Sequence, residues 1–403
     1  MRVQGFPRLV ISMLLGRVAG AMLAVAFVLF VLTRYHSPQL AGTATFLLLF
    51  PGIVISPLAG ALLDRYGRTR LITVDYFVAT TGLFLMASLS AQRSLPSSLL
   101  LLICGLTSLT VPLSAAGVRS MFPTVVPGQL WERANAIDNS SHVLSHVVGA
   151  PLAGVLVGFA GPEWALAVTA SLFACAGLAM LRVHDPSVKR REAGVLTEAW
   201  SGLTYVFRNR TLVGLALTFF ATGIGWGILT IAIPVLVLGP LHQGPAVVGY
   251  LQGGVAVAGF AASLVAGRLN TLGRERHLMV ASIVAWALAM CVLPFASSVL
   301  VVAAAMVAIA ILETPFDIAF LTLRQRRTDP ARFGRAFAVS MSLNIAGLPV
   351  GSALAGALIA WSLNGAMWVA VAITLGGAIF PIFVIPDADE PAAEAASRAG
   401  RSA

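Results

Sequence analysis

About twelve apolar runs follow one another along this chain, separated by short polar turns, and water-soluble architectures do not accommodate such a succession. A helix of about 20 apolar residues spans roughly 30 Å of hydrocarbon. The runs fall near 9–33, 41–63, 71–91, 98–121, 137–160, 163–182, 211–238, 246–267, 277–296, 298–323, 335–360 and 363–385. With 58% hydrophobic and 10% charged residues among 403, a soluble fold could not cover the apolar surface. The expected fold is therefore all-α and integral to a membrane. The first run is too long for a cleaved signal peptide and reads as a retained helix.

If the chain starts inside and crosses twelve times, basic residues should gather on the tails and the even-numbered connections. Of 26 Lys and Arg, only Arg34 and Arg93 fall on the opposite side, and Arg17 lies within a run. The net charge of +10 thus reflects orientation, and no nucleic-acid partner is needed to explain it. Cys104, Cys175 and Cys291 sit singly in apolar segments, without metal-ligand spacing, and read as packing residues.

Residues 183–210 interrupt the hydropathy pattern. Leu196, Trp200, Leu203 and Phe207 recur there at helical spacing, which suits an amphipathic helix on the inner membrane surface. The two sides of this linker also resemble each other. Arg133-Ala134 recurs 202 residues later as Arg335-Ala336, and Ala153-Gly154 recurs at the same offset as Ala355-Gly356. Gly67-Arg68 has a counterpart in Gly273-Arg274, 206 residues on. Near-constant offsets imply a duplicated six-helix unit. The expected organisation is one bundle over 1–182, the linker 183–210, a second bundle over 211–386 and a small, polar, disordered tail over 387–403.

The turn GALLDRYGRTR at residues 60–70 joins the second and third runs. Gly60 and Gly67 suit a close approach of two helix ends, while Asp64, Arg65, Arg68 and Arg70 stay at the polar boundary. Its simplest role is to set topology through the three arginines. Residue by residue, this turn is similar to the loop motif of the major facilitator superfamily, and the resemblance covers nearly the whole chain. Arg119, Pro123, Val126, Pro127, Leu130, Ala134, Asn135 and Ala136, the stretch GAPLAG at 149–154, and EAWSGLTYVFRNR further resemble bacterial exporters of the enterobactin-exporter and macrolide-efflux type. This likeness implies a multi-pass protein of the inner (plasma) membrane with cytoplasmic termini, working as a monomer by alternating access. It also implies a cavity lined by helices 1, 4, 7 and 10, and an inter-bundle contact for Asp64 that forms when the inside closes.

Ionisable groups within the bilayer are costly and become functional candidates. Glu313 and Asp317 are four apart on one helical face, about 15 and 9 Å from the cytoplasmic end of their run, and Arg17 lies about 12 Å deep. Two readings stand for Glu313: proton or substrate binding, or a static ion pair with Arg17. Asp138, His142 and His146 form a second polar stripe, able to relay protons or merely to line a wet vestibule. Arg119 ends the fourth run, reaching the cavity or anchoring the helix. Phe219, Phe220, Trp226 and Phe316 offer an apolar lining or lipid-facing surface. Gly and Pro at 149–158 and 347–356 give small-residue faces at corresponding places in the two halves.

No G-x-x-x-x-G-K-[ST] loop occurs, and Lys189 is the only lysine, so ATP-driven transport by this chain is not expected. No catalytic cluster, metal site or cofactor site is expected either, and a proton gradient is the expected energy source. Proton-coupled efflux of amphiphilic small molecules, such as drugs or siderophore-like metabolites, is the leading reading. The alternatives are a facilitator or importer of a small metabolite or lysolipid, and a membrane sensor or scaffold that transports nothing.

Overall fold

The computed structural model describes residues 5–183, 185, 204, 207–269, 271–328 and 344–386. Regular structure among them is entirely helical: α1 (Phe6–Tyr35), α2 (Pro38–Tyr66), α3 (Arg68–Ala91), α4 (Ser97–Ser108, resuming as Val111–Val125), α5 (Trp131–Ala160) and α6 (Pro162–Met180) in the first half. The second half holds α7 (Arg210–Leu238), α8 (Pro245–Ala266), α9 (Glu275–Met290), α10 (Val299–Arg326), α11 (Gly347–Trp361) and α12 (Leu363–Gly377, followed by Ile379–Phe383). Eleven of these spans are long and apolar enough to cross a membrane, and the described part of α11 is shorter. The expected amphipathic linker helix, the 387–403 tail and the Arg335-Ala336 repeat lie largely outside the described residues.

The turns between helices have local causes. Ser37, Ser298 and Ser362 each accept a backbone N–H from the first turn of the helix they precede, and Asn209 does so for both Thr211 and Leu212. Pro38, Pro162 and Pro245 stand at the start of their helices, where a missing N–H costs nothing. Within the helices, Thr80, Thr169, Thr218 and Thr314 return their hydroxyls to the carbonyl four residues back, which satisfies them in an apolar interior.

Packing follows the duplication. In the first bundle α1 packs on α5 and α6, α2 on α4, and α3 on α4 and α6. Each pair has its counterpart six helices later: α7 on α11 and α12, α8 on α10, and α9 on α10 and α12. The two bundles meet chiefly along two seams, α5 with α8 and α2 with α11, and these too exchange under the same relation. Both seams are made by glycine. A Cβ on Gly154 would come within 2.9 Å of the Gly249 backbone, and one on Gly356 within 2.5 Å of Gln39 Cα. Gly154 and Gly356 are the residues whose 202-residue offset pointed to duplication, so the repeat is a repeat of seams.

Gly154 lies near the end of α5, Gly249 near the start of α8, Gln39 at the start of α2 and Gly356 near the end of α11. The seams therefore lie at the end of the molecule opposite the 60–70 turn. The expectation of packing cysteines holds for Cys104, which is buried, whereas Cys175 is exposed on α6, where bilayer lipid replaces protein as its neighbour.

Candidate functional site

Most of the charged residues that the described helices carry at membrane depth collect in two centres, one in each bundle, and Asp75 stands apart from both. In the first, α1 presents Arg17 to α5. Arg17 Nη2 donates to Asp138 Oδ1 at 2.6 Å, and Nη1 donates to the Asp138 carbonyl and to Ser141 Oγ. Both charged side chains are largely withdrawn from solvent, at 16% and 17% exposure. The ion pair of Arg17 with Glu313 is thereby corrected: Arg17 is held within its own bundle. The reason is that α1 packs along α5, and the arginine faces that neighbour.

His142 follows one turn after Asp138, and its ring meets that of His146 edge to face with centroids 5.2 Å apart. Both residues are exposed, as are Asn135 and Asn139 on the same face of α5. Arg119, exposed on α4, lies close enough to act electrostatically on His142, as do Arg17 and Asp138. The structure thus gathers Arg17, Arg119, Asp138, His142 and His146 from three helices, although they lie far apart in sequence. Removing one partner of a desolvated ion pair leaves the other charge unpaired, so Arg17→Leu is expected to lose about 3 kcal/mol of stability. A double variant that also carries Asp138→Leu should recover part of that loss in thermal unfolding; strictly additive losses would show that the two groups are not coupled.

The second centre lies between α7 and α10. Trp226 on α7 donates its indole N–H to Glu313 Oε1 at 2.9 Å. Glu313 is half-buried, and Asp317, one turn along the same face, is exposed. Neither carboxylate has an ion-pair partner among the described residues. Pro315 stands between them inside the helix, removing one backbone hydrogen bond and allowing α10 to bend there. Behind them Phe316 is 1% exposed, its ring packed edge-on against Trp286 and beside Phe219 and Phe320. Phe316 is therefore core, whereas Trp226 reaches the carboxylate; only the latter belongs to a polar site.

The 60–70 turn forms a third, separate cluster. Gly67 adopts φ +91°, a conformation that a Cβ would strain, and this explains the glycine. Gly60 has open space around it, so the expected close approach at that position is not made; the chain reverses at Gly67 instead. Arg68 Nη2 donates to Asp64 Oδ1 at 2.9 Å and Nη1 to the Ser120 carbonyl at 2.8 Å, tying α2, α3 and α4 together. Asp185 Oδ2 accepts from the backbone N–H of Arg68 at 2.6 Å and of Thr69 at 3.3 Å, capping the positive end of α3. Arg65 lies over the Tyr66 ring, and Arg70 is exposed. Asp64 thus pairs within its own bundle here, because the bundles meet at the opposite end. Sequence reasoning passed over one buried carboxylate, Asp75 on α3, which is 4% exposed. Its place inside the third apolar run was signal enough to single it out.

Comparison with known proteins agrees with this architecture. The model of the Major Facilitator Superfamily matches residues 9–236 and 215–402. The MFS-type transporter y4rN of Sinorhizobium fredii is 36% identical over 391 residues, covering 96% of both chains. The multidrug efflux pump Tap of Mycolicibacterium fortuitum is 22% identical over 76% of this chain and 78% of its own. Macrolide efflux protein A of Streptococcus pyogenes is 22% identical over 83% and 84%. Among solved structures, the nucleoside transporter NupG superposes with a TM-score of 0.75 at 13% identity, over 95% of this chain and 98% of that one. Two six-helix bundles related by duplication, the Gly67–Arg68 turn and these matches lead to one conclusion: the chain is a multi-pass membrane transporter that belongs to the major facilitator superfamily.

Proposed function

We propose that this transporter exports amphiphilic small molecules in exchange for protons, moving between states open to either side. The observation that carries the reading is the Glu313–Asp317 face of α10: two carboxyl groups one turn apart, accessible, without an ion-pair partner among the described residues, and beside a proline. A carboxylate kept at membrane depth without a counter-charge is stabilised by taking up a proton. The Trp226 indole can only donate, so it binds the ionised form of Glu313 more strongly than the protonated form, and protonation loosens this contact. Relatives named for multidrug and macrolide efflux favour export of amphiphilic compounds.

Arg65, Arg68 and Arg70 on one turn, and Arg268, Arg274 and Arg276 on its counterpart, support a cytoplasmic position for that end of the molecule. The glycine seams then close the outer end, and the exposed stripe of Asn135, Asn139, His142 and His146 faces inward. The proton gradient of the cell's inner membrane supplies the energy, and a single copy of the chain suffices.

The test is accumulation of fluorescent dyes and macrolides in cells expressing the chain, with and without a protonophore, with a radiolabelled nucleoside as comparison substrate. Efflux that collapses when the gradient is dissipated is expected. Efflux indifferent to the protonophore would remove the proton from the mechanism, and uptake of the nucleoside would replace export by import.

A further inference from the structure

Asp75 belongs to neither polar centre, yet it is the carboxylate most completely enclosed by protein among the described residues. It sits two turns into α3, 4% exposed, and its Oδ1 has no hydrogen-bond partner. α4, which packs against it, is broken at this level: the helix stops at Ser108, resumes at Val111, and carries Pro112 in its new first turn. The hydroxyls of Thr110, at the break, and Ser114, one turn later, face the Asp75 carboxyl. Each hydroxyl also lies within hydrogen-bond distance of a carbonyl of its own helix, Thr110 of Thr107 at 3.1 Å and Ser114 of Val111 at 3.3 Å. Each hydroxyl rotor can therefore turn its proton to that carbonyl or to the carboxyl. Four side-chain oxygens converge, and with both hydroxyl protons turned to the helix carbonyls all four are free to accept.

Among the described residues, no charge on the protein compensates this. Tyr76 beside it on α3 turns toward α1, where Arg17 is committed to Asp138. On α2, Asp64 is paired with Arg68; on α4, Arg119 lies near His142; on α6, Glu163 lies at the far end against Arg34 and Ser90. An enclosed carboxylate with an unpartnered oxygen and two hydroxyls at a helix break inside a membrane protein attracts a small cation, as interrupted helices do in other secondary transporters.

We propose that Asp75, Thr110 and Ser114 form a cation site in the first bundle, separate from Glu313 and Asp317, that takes a sodium ion or a proton. Binding there joins α3 to the break of α4 and neutralises the enclosed carboxylate.

Two readouts on the purified full-length protein distinguish the occupants. Thermal unfolding at alkaline pH is compared in sodium chloride and in choline chloride of equal ionic strength. Proton uptake on acidification is followed with an indicator dye in choline chloride. A sodium-dependent rise in unfolding temperature that Asp75→Asn abolishes identifies sodium. No sodium effect, with one proton fewer taken up by Asp75→Asn than by wild type, identifies a proton. The double variant Thr110→Val with Ser114→Ala keeps the carboxyl and covers the case in which Asp75→Asn does not fold; it should weaken the sodium effect or move the midpoint of proton uptake. Absence of both signals in the wild type, or their persistence unchanged in the variants, overturns the proposal. Because both readouts measure binding, they stand or fall independently of the efflux assay.

Discussion

Glu313→Gln is expected to abolish protonophore-sensitive efflux, lowering the dye export rate at least about tenfold, the change that about 1.4 kcal/mol produces. The substitution is nearly isosteric and its amide oxygen still accepts the Trp226 indole N–H. Expression and unfolding temperature should therefore stay close to wild type, so that the loss reports proton exchange and not folding. Trp226→Phe leaves the carboxyl and removes its donor; export should persist with a displaced pH profile, because the ionised form loses its hydrogen bond to the indole. Asp317→Asn, at an exposed position, should cost less than Glu313→Gln. Efflux by Glu313→Gln at the wild-type rate, measured in proteoliposomes with an imposed pH gradient, would remove this carboxylate from the transport cycle.

The second large effect concerns the seams. Gly356→Val places atoms within 2.5 Å of Gln39 Cα and close to the Pro38 and Gln39 carbonyls, and backbone cannot rotate away as a side chain can. Overpacking of this kind costs about 1–3 kcal/mol. If that penalty falls only on the state in which α2 and α11 touch, a cost of about 2 kcal/mol shifts the balance between states roughly thirtyfold. Spin labels on the α1–α2 and α11–α12 turns, in a background lacking Cys104, Cys175 and Cys291, should report a lengthened separation and transport should fall. The pseudo-equivalent Gly154→Val should do the same between α5 and α8. An unchanged distance distribution in both variants would mean that the seams yield without opening.

The twelve spans, the duplication and the arginine-rich turn were legible because each is written in one dimension: run length, offset and motif. Arg17 shows what was not. Its depth could be counted along α1, but α1 is apolar all round, so no stripe reveals which neighbour the arginine faces. In water the polar side of a helix marks its exposed face; in lipid, hydrophobicity fails to separate lipid-facing from protein-facing surface. The partner, Asp138, belongs in sequence to a stripe on its own helix, which points to no other element. Gly60 suggests a close approach that Gly67 makes unnecessary, because a turn's backbone angles are not written in its composition. Phe316 and Trp226 look alike as aromatic residues, and only their neighbours across α7, α9 and α10 separate packing from a polar contact. Asp75 was legible in principle: a lone acid inside an apolar run needs no structure to be noticed.

The contrast between seams and bundle interiors determines where the molecule is compliant. Inside each bundle, side chains such as Phe27, Phe30, Trp286 and Phe316 interlock, and any relative shift of their helices would force them out of preferred rotamers. Along the seams, Gly154 and Gly356 lie against backbone, so less side-chain interlock opposes sliding there. Softness between the bundles thus lies along two lines, and the same glycine-on-backbone packing recurs within the second bundle between α7 and α11. A force applied to either bundle then meets its least resistance along these lines of backbone contact, so a small push is spent on moving the bundles past each other more than on bending them.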